Sequence, residues 1–192
     1  MADWISCGRI IMYEKEIKIP EGLTADINGM KVVVGGQKAK LSREFKGMFG
    51  IKIERTADGV RVSSESEMRK QKSKVGTVVA HIRNMVRGLT EGYTARLKII
   101  YTHFPVTVKV DDVERKVMIM NFLGEKTPRA ARIFGDDTKV EIAGADITVT
   151  GSDIEAVGQT AGSLEQVTRV RAHDRKVFQD GVFITEKPKG IV

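Results

Sequence analysis

The hydrophobic pattern of residues 51–87 predicts a β-hairpin followed by a helix. Alternating apolar residues in 51–53 and 60–62 flank a turn with Asp and Gly at 57–59, an arrangement typical of paired antiparallel strands. Apolar residues then recur three, four and seven positions apart, which places them on one helical face. This face consists of Val75, Val78, Val79, Ile82, Met85 and Val86. Gly88 is expected to end the helix.

The second half of the chain repeats this order of elements. Apolar alternation in 140–142 and 147–149 predicts a second hairpin, and the polar residues 150–153 are expected to cap the helix that follows. The buried face of that helix is predicted to comprise Ile154, Val157, Ala161 and Leu164. Ile147 lies 87 residues after Val60, its counterpart in the first hairpin. The same element order at a fixed spacing indicates an internal duplication.

Further apolar segments predict strands before each hairpin and between the two halves. They cover 31–34, 95–101, 106–110 and 116–120. The predicted fold class is α+β, with two tandem duplicated domains that each consist of a small, mainly antiparallel sheet and one packed helix. The predicted limits are 1–12 for an N-terminal extension, 13–90 for the first domain, 91–185 for the second domain and 186–192 for a basic tail.

Composition indicates what kind of partner this architecture would have. Of the 192 residues, 41% are hydrophobic, which is enough for two small globular cores. The formal net charge of +7 favours a polyanionic partner, because each neutralised phosphate releases counterions. Residues 1–90 carry 17 basic and 10 acidic side chains, whereas residues 91–192 carry 15 of each. Within 169–192, however, six basic residues stand against three acidic ones, which predicts a basic edge or arm.

The inventory of reactive residues argues against an enzyme. His81, His103 and His173 lack the spacing of metal ligands, and the glycines of 35–38 lack the other residues of a phosphate-binding loop. Cys7 is the only cysteine, so no intrachain disulfide can form and a reducing compartment is expected. No segment reaches the roughly 18–20 apolar residues of a membrane span. We therefore expect a cytoplasmic protein without catalysis, metal, cofactor, small-molecule substrate or membrane.

Two groups of basic residues in the middle of the chain are candidate RNA contacts. Lys70, Lys72 and Lys74 lie near the start of the first predicted helix, where cations oppose the helix dipole. Either an anion such as an RNA phosphate compensates them, or they are simply solvated. The second group is a loop that leads into Arg129 and Arg132, whose guanidinium groups can bind phosphates bidentately. A simple inter-strand loop is the alternative.

A third basic group lies near the C-terminus. Two short predicted strands, 176–178 and 182–184, are joined by a turn at 180–181 and followed by an irregular basic tail. The basic residues of this region are Arg169, Arg171, Arg175, Lys176, Lys187 and Lys189. Such tails are often only solvated chain ends. The clustering nevertheless favours contact with RNA.

Three ordered segments give the sequence a family resemblance. They are YTHFPV at 101–106, NFLGEK at 121–126, and FQDGVFI at 178–184, the last preceded by Gln166 and Val170. Together they resemble the L-six family of large-subunit ribosomal proteins, called L-nine in eukaryotes, and the resemblance is to the archaeal type. It extends over nearly the whole chain from about Tyr13. Three motifs in the same order are far more specific than any one of them.

The resemblance implies a non-catalytic structural constituent of the large ribosomal subunit without a cofactor. It implies two tandem domains that bind large-subunit ribosomal RNA mainly through the C-terminal one, near the sarcin–ricin loop and the translation-factor site at the stalk base, in support of translation. Neighbouring ribosomal proteins are then partners, with translation factors nearby. Carried over by position, the RNA contacts are His103, Pro105, Lys126, Arg129 and the basic residues beyond Gln166.

Two other classes of function compete with this interpretation. A small enzyme or nucleotide-binding domain would need a convergent acid, base or metal cluster, and the sequence offers none. A free-standing RNA-binding regulatory protein is the alternative within RNA binding. Such a module would need an aromatic surface on which single-stranded bases stack, whereas most of the seven Phe are predicted to be buried.

Overall fold

The computed structural model divides into two compact units between Val86 and Arg87. It describes residues 13–20, 22–36, 39–56, 59–171, 174 and 176–190. Several predicted features lie outside the described residues. They are the extension at 1–12, the turn residues 57–58, part of the glycine turn at 37–38, His173 and the candidate RNA contact Arg175.

The described part of unit 1 contains six strands and most of the first helix, whose last four residues, 87–90, fall in unit 2. The elements are β1 (Tyr13–Lys18), β2 (Thr24–Asn28), β3 (Lys31–Gly35), β4 (Lys40–Glu44), β5 (Ile51–Thr56), β6 (Gly59–Ser64) and α1 (Arg69–Thr90). The strands form two three-stranded antiparallel sheets, with the orders β1-β6-β5 and β2-β3-β4. The predicted hairpin is confirmed, because β5 and β6 pair from Ile51 opposite Ser64 to Thr56 opposite Gly59.

Helix α1 buries the predicted face but ends later than predicted. Val75, Val78 and Ile82 are fully buried, as the apolar periodicity requires. The prediction that Gly88 ends the helix is wrong, since the helix continues to Thr90. A single glycine costs a helix only about 1 kcal/mol relative to alanine, so it does not break one by itself. The chain turns away at Gly92, which adopts the left-handed φ of 79° that favours glycine.

Unit 2 contains seven strands and the second helix. The elements are β7 (Tyr93–Ile100), β8 (Thr107–Asp111), β9 (Lys116–Met120), a 3-10 turn (Phe122–Gly124), β10 (Arg129–Arg132), β11 (Lys139–Ala143), β12 (Asp146–Gly151), α2 (Ile154–Val167) and β13 (Gly181–Gly190). One antiparallel sheet has the order β11-β12-β7-β13 and the other the order β10-β9-β8. Asp153 caps α2, because its side chain accepts a hydrogen bond from the Glu155 N–H at 3.0 Å.

The strand orders of the two units confirm the duplicated α+β fold. In unit 2, β7-β12-β11 repeats β1-β6-β5, and β8-β9-β10 repeats β2-β3-β4. Each unit nevertheless holds two sheets where the sequence predicted one. The reason is that the strands before each hairpin pair with their own neighbours in a separate three-stranded meander. The predicted domain limits at 13–90 and 91–185 stay a prediction.

Strand β13 is the main addition to the duplicated plan. The sequence predicts an irregular tail from 186, but β13 continues to Gly190 and pairs there with Tyr93 of β7. The register shifts between Glu186 and Lys189, around Pro188. Proline has no N–H for a ladder, so an edge strand with an irregularity accommodates it. The apparent tail is therefore a strand because the open edge of β7 offers it hydrogen-bonding partners.

The prediction that most phenylalanines are buried is wrong. Phe45 and Phe122 are buried, Phe134 and Phe178 are half-buried, and Phe49, Phe104 and Phe183 are exposed. The layers between sheets and helices are instead filled by Val, Ile, Leu and Ala. The exposed rings lie in turns or on the edge strand β13.

Among the described residues, no helix is long and apolar enough to cross a membrane.

Candidate nucleic-acid interface

The loop at 101–106, which follows β7, is held to the rest of unit 2 by Asp180. The Asp180 side chain is only 1% exposed, and it accepts a hydrogen bond from the Thr102 N–H and pairs with His103 Nδ1 at 2.9 Å. The His103 ring also stacks on Phe178, with 4.5 Å between ring centroids. A buried carboxylate needs such partners, because its desolvation is otherwise costly. His103 therefore has a fixed orientation, with a third of its side chain still exposed.

A second loop, at 121–126, lies directly against the first. The Asn121 side-chain amide donates a hydrogen bond to the Pro105 carbonyl at 3.0 Å. Gly124 lies next to the Phe104 ring, which an added Cβ would meet at the ordinary contact distance of 3.5 Å, and it is the φ of 76° that favours glycine there. Two of the motifs that carry the family resemblance are thus spatial neighbours. Pro105 and Lys126 are exposed on this joined surface.

Arg129 uses most of its hydrogen-bonding capacity inside the protein. Its guanidinium group pairs bidentately with Glu125, with 2.7 Å between Nε and Oε2, and donates to the Val167 carbonyl at 2.7 Å. It also lies 4.4 Å from the centroid of the buried Phe122 ring. The hydrogen bond from Arg129 lowers the pKa of the Glu125 carboxyl below its ordinary value. Arg129 thus fastens the loop to the end of α2, a role that the sequence analysis did not identify.

The remaining candidate cations of unit 2 point outward. Arg132, Arg169, Arg171, Lys176, Lys187 and Lys189 are exposed. Arg169 and Arg171, on either side of buried Val170, are both exposed. Arg132 extends over the Phe134 ring, at 5.6 Å from its centroid. The structure therefore supplies exposed cations on ordered backbone, and their contact with RNA stays a prediction.

Two clefts lie beside these cations and share Gln166. The larger has a volume of about 640 Å³ and lies between the end of α2 and the start of β13. The smaller, of about 480 Å³, is lined by Arg129, Ser163, Val167 and Arg171 as well as Gln166. Gln166 lies in the last turn of α2, two residues after the buried Leu164, and its side chain is exposed. No local sequence pattern indicates either cleft, because segments far apart in the chain form both.

The lysines at the start of α1 have partners within unit 1. Lys72 Nζ lies 3.7 Å from a Glu67 carboxylate oxygen and 5.2 Å from the centroid of the Tyr13 ring. Lys74 Nζ donates to the Phe49 carbonyl at 3.3 Å. Lys70 is exposed. Intramolecular groups thus compensate Lys72 and Lys74 without an external anion, and RNA contact by these lysines stays a prediction.

Among the residues that the structure describes, no three His, Cys, Asp or Glu side chains form a group able to hold a metal ion. The arrangement in unit 2 is one of exposed cations around fixed loops. Such a surface can bind phosphates and orient a polyanion.

Comparison with known proteins finds one family that matches both halves of the chain. The family model of ribosomal protein L6 matches residues 19–92 and 104–181, one segment in each half. The large ribosomal subunit protein uL6 of Staphylothermus marinus is 49% identical over 173 residues, which is 90% of this chain and 93% of the relative. The uL6 of Desulfurococcus amylolyticus is 44% identical over 183 residues, or 95% and 99% of the two chains. That of Methanothrix thermoacetophila is 44% identical over 173 residues, or 90% and 96%.

These matches span both units and confirm the resemblance drawn from the three motifs. The chain belongs to the ribosomal protein L6 family, in its archaeal type, a family of structural and non-enzymatic proteins.

Proposed function

We propose that this protein is a structural constituent of the large ribosomal subunit in the cytoplasm and binds large-subunit ribosomal RNA near the sarcin–ricin loop. At that position, by the stalk base, it supports the site where translation factors act and contacts neighbouring ribosomal proteins. Relatives named large ribosomal subunit protein uL6 support the ribosomal part of this proposal. The finer location rests on the family resemblance of the loops at 101–106 and 121–126.

The observation that carries RNA binding is the set of exposed cations on fixed backbone in unit 2. Structured RNA is recognised mostly through shape, phosphates and 2′-hydroxyl groups, so rigidly placed Lys and Arg suit it. His103 is oriented by Asp180, and Arg129 holds the second loop to α2. The cations near these loops are consequently presented to a partner with little loss of conformational freedom on binding.

Directed cleavage of RNA tests the proposed location. Cys7 is replaced by Ser, and a single cysteine at Lys126→Cys carries a tethered iron–EDTA group that cuts nearby RNA. Subunits reconstituted with this protein should show cuts concentrated around the sarcin–ricin loop. Val113→Cys is the matched control, because Val113 is 95% exposed at the other end of β9, away from the candidate loops.

The two cysteine positions separate the possible results. Cuts around the sarcin–ricin loop from position 126, and weaker or different cuts from position 113, support the proposal. Cuts from position 126 confined to another region of the RNA contradict the location. A protein that fails to enter the subunit at all, yet binds other RNA, contradicts the ribosomal role and favours the regulatory alternative.

A further inference from the structure

We propose that the larger cleft of unit 2 binds a single unpaired nucleobase of the RNA partner, extruded from its helix. This inference rests on the proposed function and names the chemical group that occupies one part of the interface. The cleft lies between the end of α2 and the start of β13 and has a volume of about 640 Å³, within the usual range of sites for small planar ligands.

The cleft walls supply apolar surface for a planar ring. They include Ile100, Val170, Phe178, Val182 and Phe183. Ile100 and Phe183 are 42% and 41% exposed, although β7 and β13 have buried positions elsewhere. Exposed apolar side chains that gather in one concave site mark a place where a partner binds. Unpaired bases stack on aromatic side chains, so exposed Phe183 matches this type of ligand, whereas the Phe178 ring, already stacked on His103, adds apolar surface to the wall.

The floor of the cleft is held in place by buried polar groups. Thr168 Oγ1 donates to the Leu164 carbonyl at 3.1 Å and accepts a hydrogen bond from the Val182 N–H at 3.0 Å. Asp180, also in the lining, is occupied by Thr102 and His103. These bonds fix the end of α2 against the start of β13 before any ligand binds. The site is therefore preorganised and does not depend on closure around the ligand.

Polar side chains at the cleft match the edges of a base. The amides of Gln166 and Gln179 offer both donors and acceptors, and Glu165 offers acceptors only. A base that carries an exocyclic amino group can donate to Glu165 while an amide reads its neighbouring ring atoms. Arg169, also in the lining, has a planar guanidinium group on which a base can stack.

Positive charge beside the cleft distinguishes RNA from an apolar peptide segment as its occupant. The smaller cleft shares Gln166 with the larger one and contributes Arg129 and exposed Arg171. A nucleotide whose base enters the larger cleft therefore has a cationic surface beside it for its phosphate. An apolar peptide would fill the larger cleft equally well but would make no use of the charge of exposed Arg171, the arginine of the smaller cleft that is not already paired with Glu125.

A blocking substitution tests the inference on the full-length protein. Gln166→Trp places an indole at the shared edge of the two clefts, and Gln159→Trp is the matched control on an exposed position of the same helix outside the lining. Both side chains are replaced at the surface, so thermal unfolding should be unchanged. Binding to large-subunit ribosomal RNA is measured over a salt series, and unpaired adenines and cytosines are probed with dimethyl sulfate.

We expect Gln166→Trp to weaken binding by about tenfold or more with an unchanged salt slope, because a stacking contact is lost while the phosphate contacts remain. One base protected by the wild type and by Gln159→Trp should become reactive. Equal affinity and equal protection for both variants would overturn the inference while RNA binding stands. Failure of the wild type to bind this RNA would overturn the proposed function as well.

Discussion

The two units of this protein share a strand order but differ in the connections between strands. Four residues, 36–39, separate β3 from β4, whereas eight residues, 121–128, separate the matching strands β9 and β10. Unit 2 also gains β13, which has no counterpart in the described part of unit 1. The additions coincide with the candidate interface, since they contain Lys126, Lys187 and Lys189.

This difference shows which features the duplicated fold requires and which it leaves free. Val75, Val79 and Ile82 of α1 recur in α2 as Val157, Ala161 and Leu164, at the same spacing and all buried. The sheet-and-helix layers tolerate little change, because close packing makes volume changes costly. Connections at the surface tolerate insertion. Unit 2 has its candidate interface where the two copies differ.

The largest expected effect tests the shared scaffold. Leu164→Ala and Ile82→Ala remove fully buried side chains at matching helix positions, and each should lower the free energy of unfolding by about 2–5 kcal/mol. Chemical denaturation of the two variants and the wild type measures this. A loss of well under 1 kcal/mol in either variant would contradict equivalent packing of the two helices.

The next largest effect is on RNA affinity, which we expect to depend more on the cations of unit 2 than on those of unit 1. Arg169, Arg171, Lys187 and Lys189 are changed together to Ala, and a control changes Lys70, Lys72 and Lys74. The first set should weaken binding to large-subunit ribosomal RNA by roughly 100-fold and flatten the salt slope by about three units, because each lost phosphate contact removes almost one unit. A greater loss for the α1 lysines would reverse the assignment.

A smaller loss of stability is expected when one intramolecular ion pair in each unit is broken. Arg129→Ala removes the bonds to Glu125 and Val167 from a side chain that is 22% exposed, and should cost about 2 kcal/mol of unfolding free energy. Arg61→Ala breaks the more exposed pair with Glu16 in unit 1 and should change stability little. Equal losses in denaturant unfolding would show that burial does not separate the two pairs.

The Glu125–Arg129 pair also gives a pH dependence. The pKa of Glu125 is lowered in the folded protein, so the pair stabilises at pH values above the ordinary carboxyl pKa. That contribution is lost as pH falls through the lower folded value. The difference in stability between wild type and Glu125→Gln should therefore shrink in acid, and a difference that grows in acid would contradict the assignment.

The smallest effect lies where the two helices differ in polarity. Thr160 occupies the position in α2 that Val78 occupies in α1, and its Oγ1 accepts a hydrogen bond from the Phe134 N–H at 3.0 Å. Thr160→Val should cost about 1 kcal/mol, because it leaves that N–H without its acceptor. Val78→Thr is the reciprocal variant in unit 1. A more stable Thr160→Val protein would show that the hydroxyl is dispensable.

Sequence periodicity predicted the hairpins and helices because their signals are local. Val60 and Val62 alternate with polar residues as in a strand, and the apolar residues of 154–164 recur at helical spacing. Each pattern therefore fits one type of secondary structure. The end of α1 was predicted wrongly because a glycine alone is a weak helix breaker, and of Gly88 and Gly92 only Gly92 takes a left-handed conformation. The strand predicted at 182–184 is the start of β13, whereas 176–178 forms no strand. The continuation of β13 to Gly190 was missed because its ladder depends on β7, which lies far away in the sequence.

For the candidate site, the exposure of most cations could be predicted from the sequence, whereas the internal contacts could not. Exposure of Lys126, Arg169 and Arg171 follows from charge, since ionised side chains stay at the surface unless they are paired. The internal use of Arg129 depends on Val167 and Phe122, which no local pattern connects to it. Its spacing of four residues from Glu125 is no signal either, because 125–128 is a loop and the i,i+4 rule applies to helices. The contact of Asn121 with Pro105 likewise appears only in three dimensions.

The pairing of β13 with β7 affects how unit 2 folds while the chain is being synthesised. Ile100 lies opposite Gly181, and Tyr93 lies opposite Gly190, so at least 80 residues are synthesised between the partners of every pair. The edge of β7 stays uncovered while the intervening segments emerge, and such an edge can recruit a foreign strand. The four-stranded sheet of unit 2 is therefore completed only when the last strand of the described chain has been synthesised.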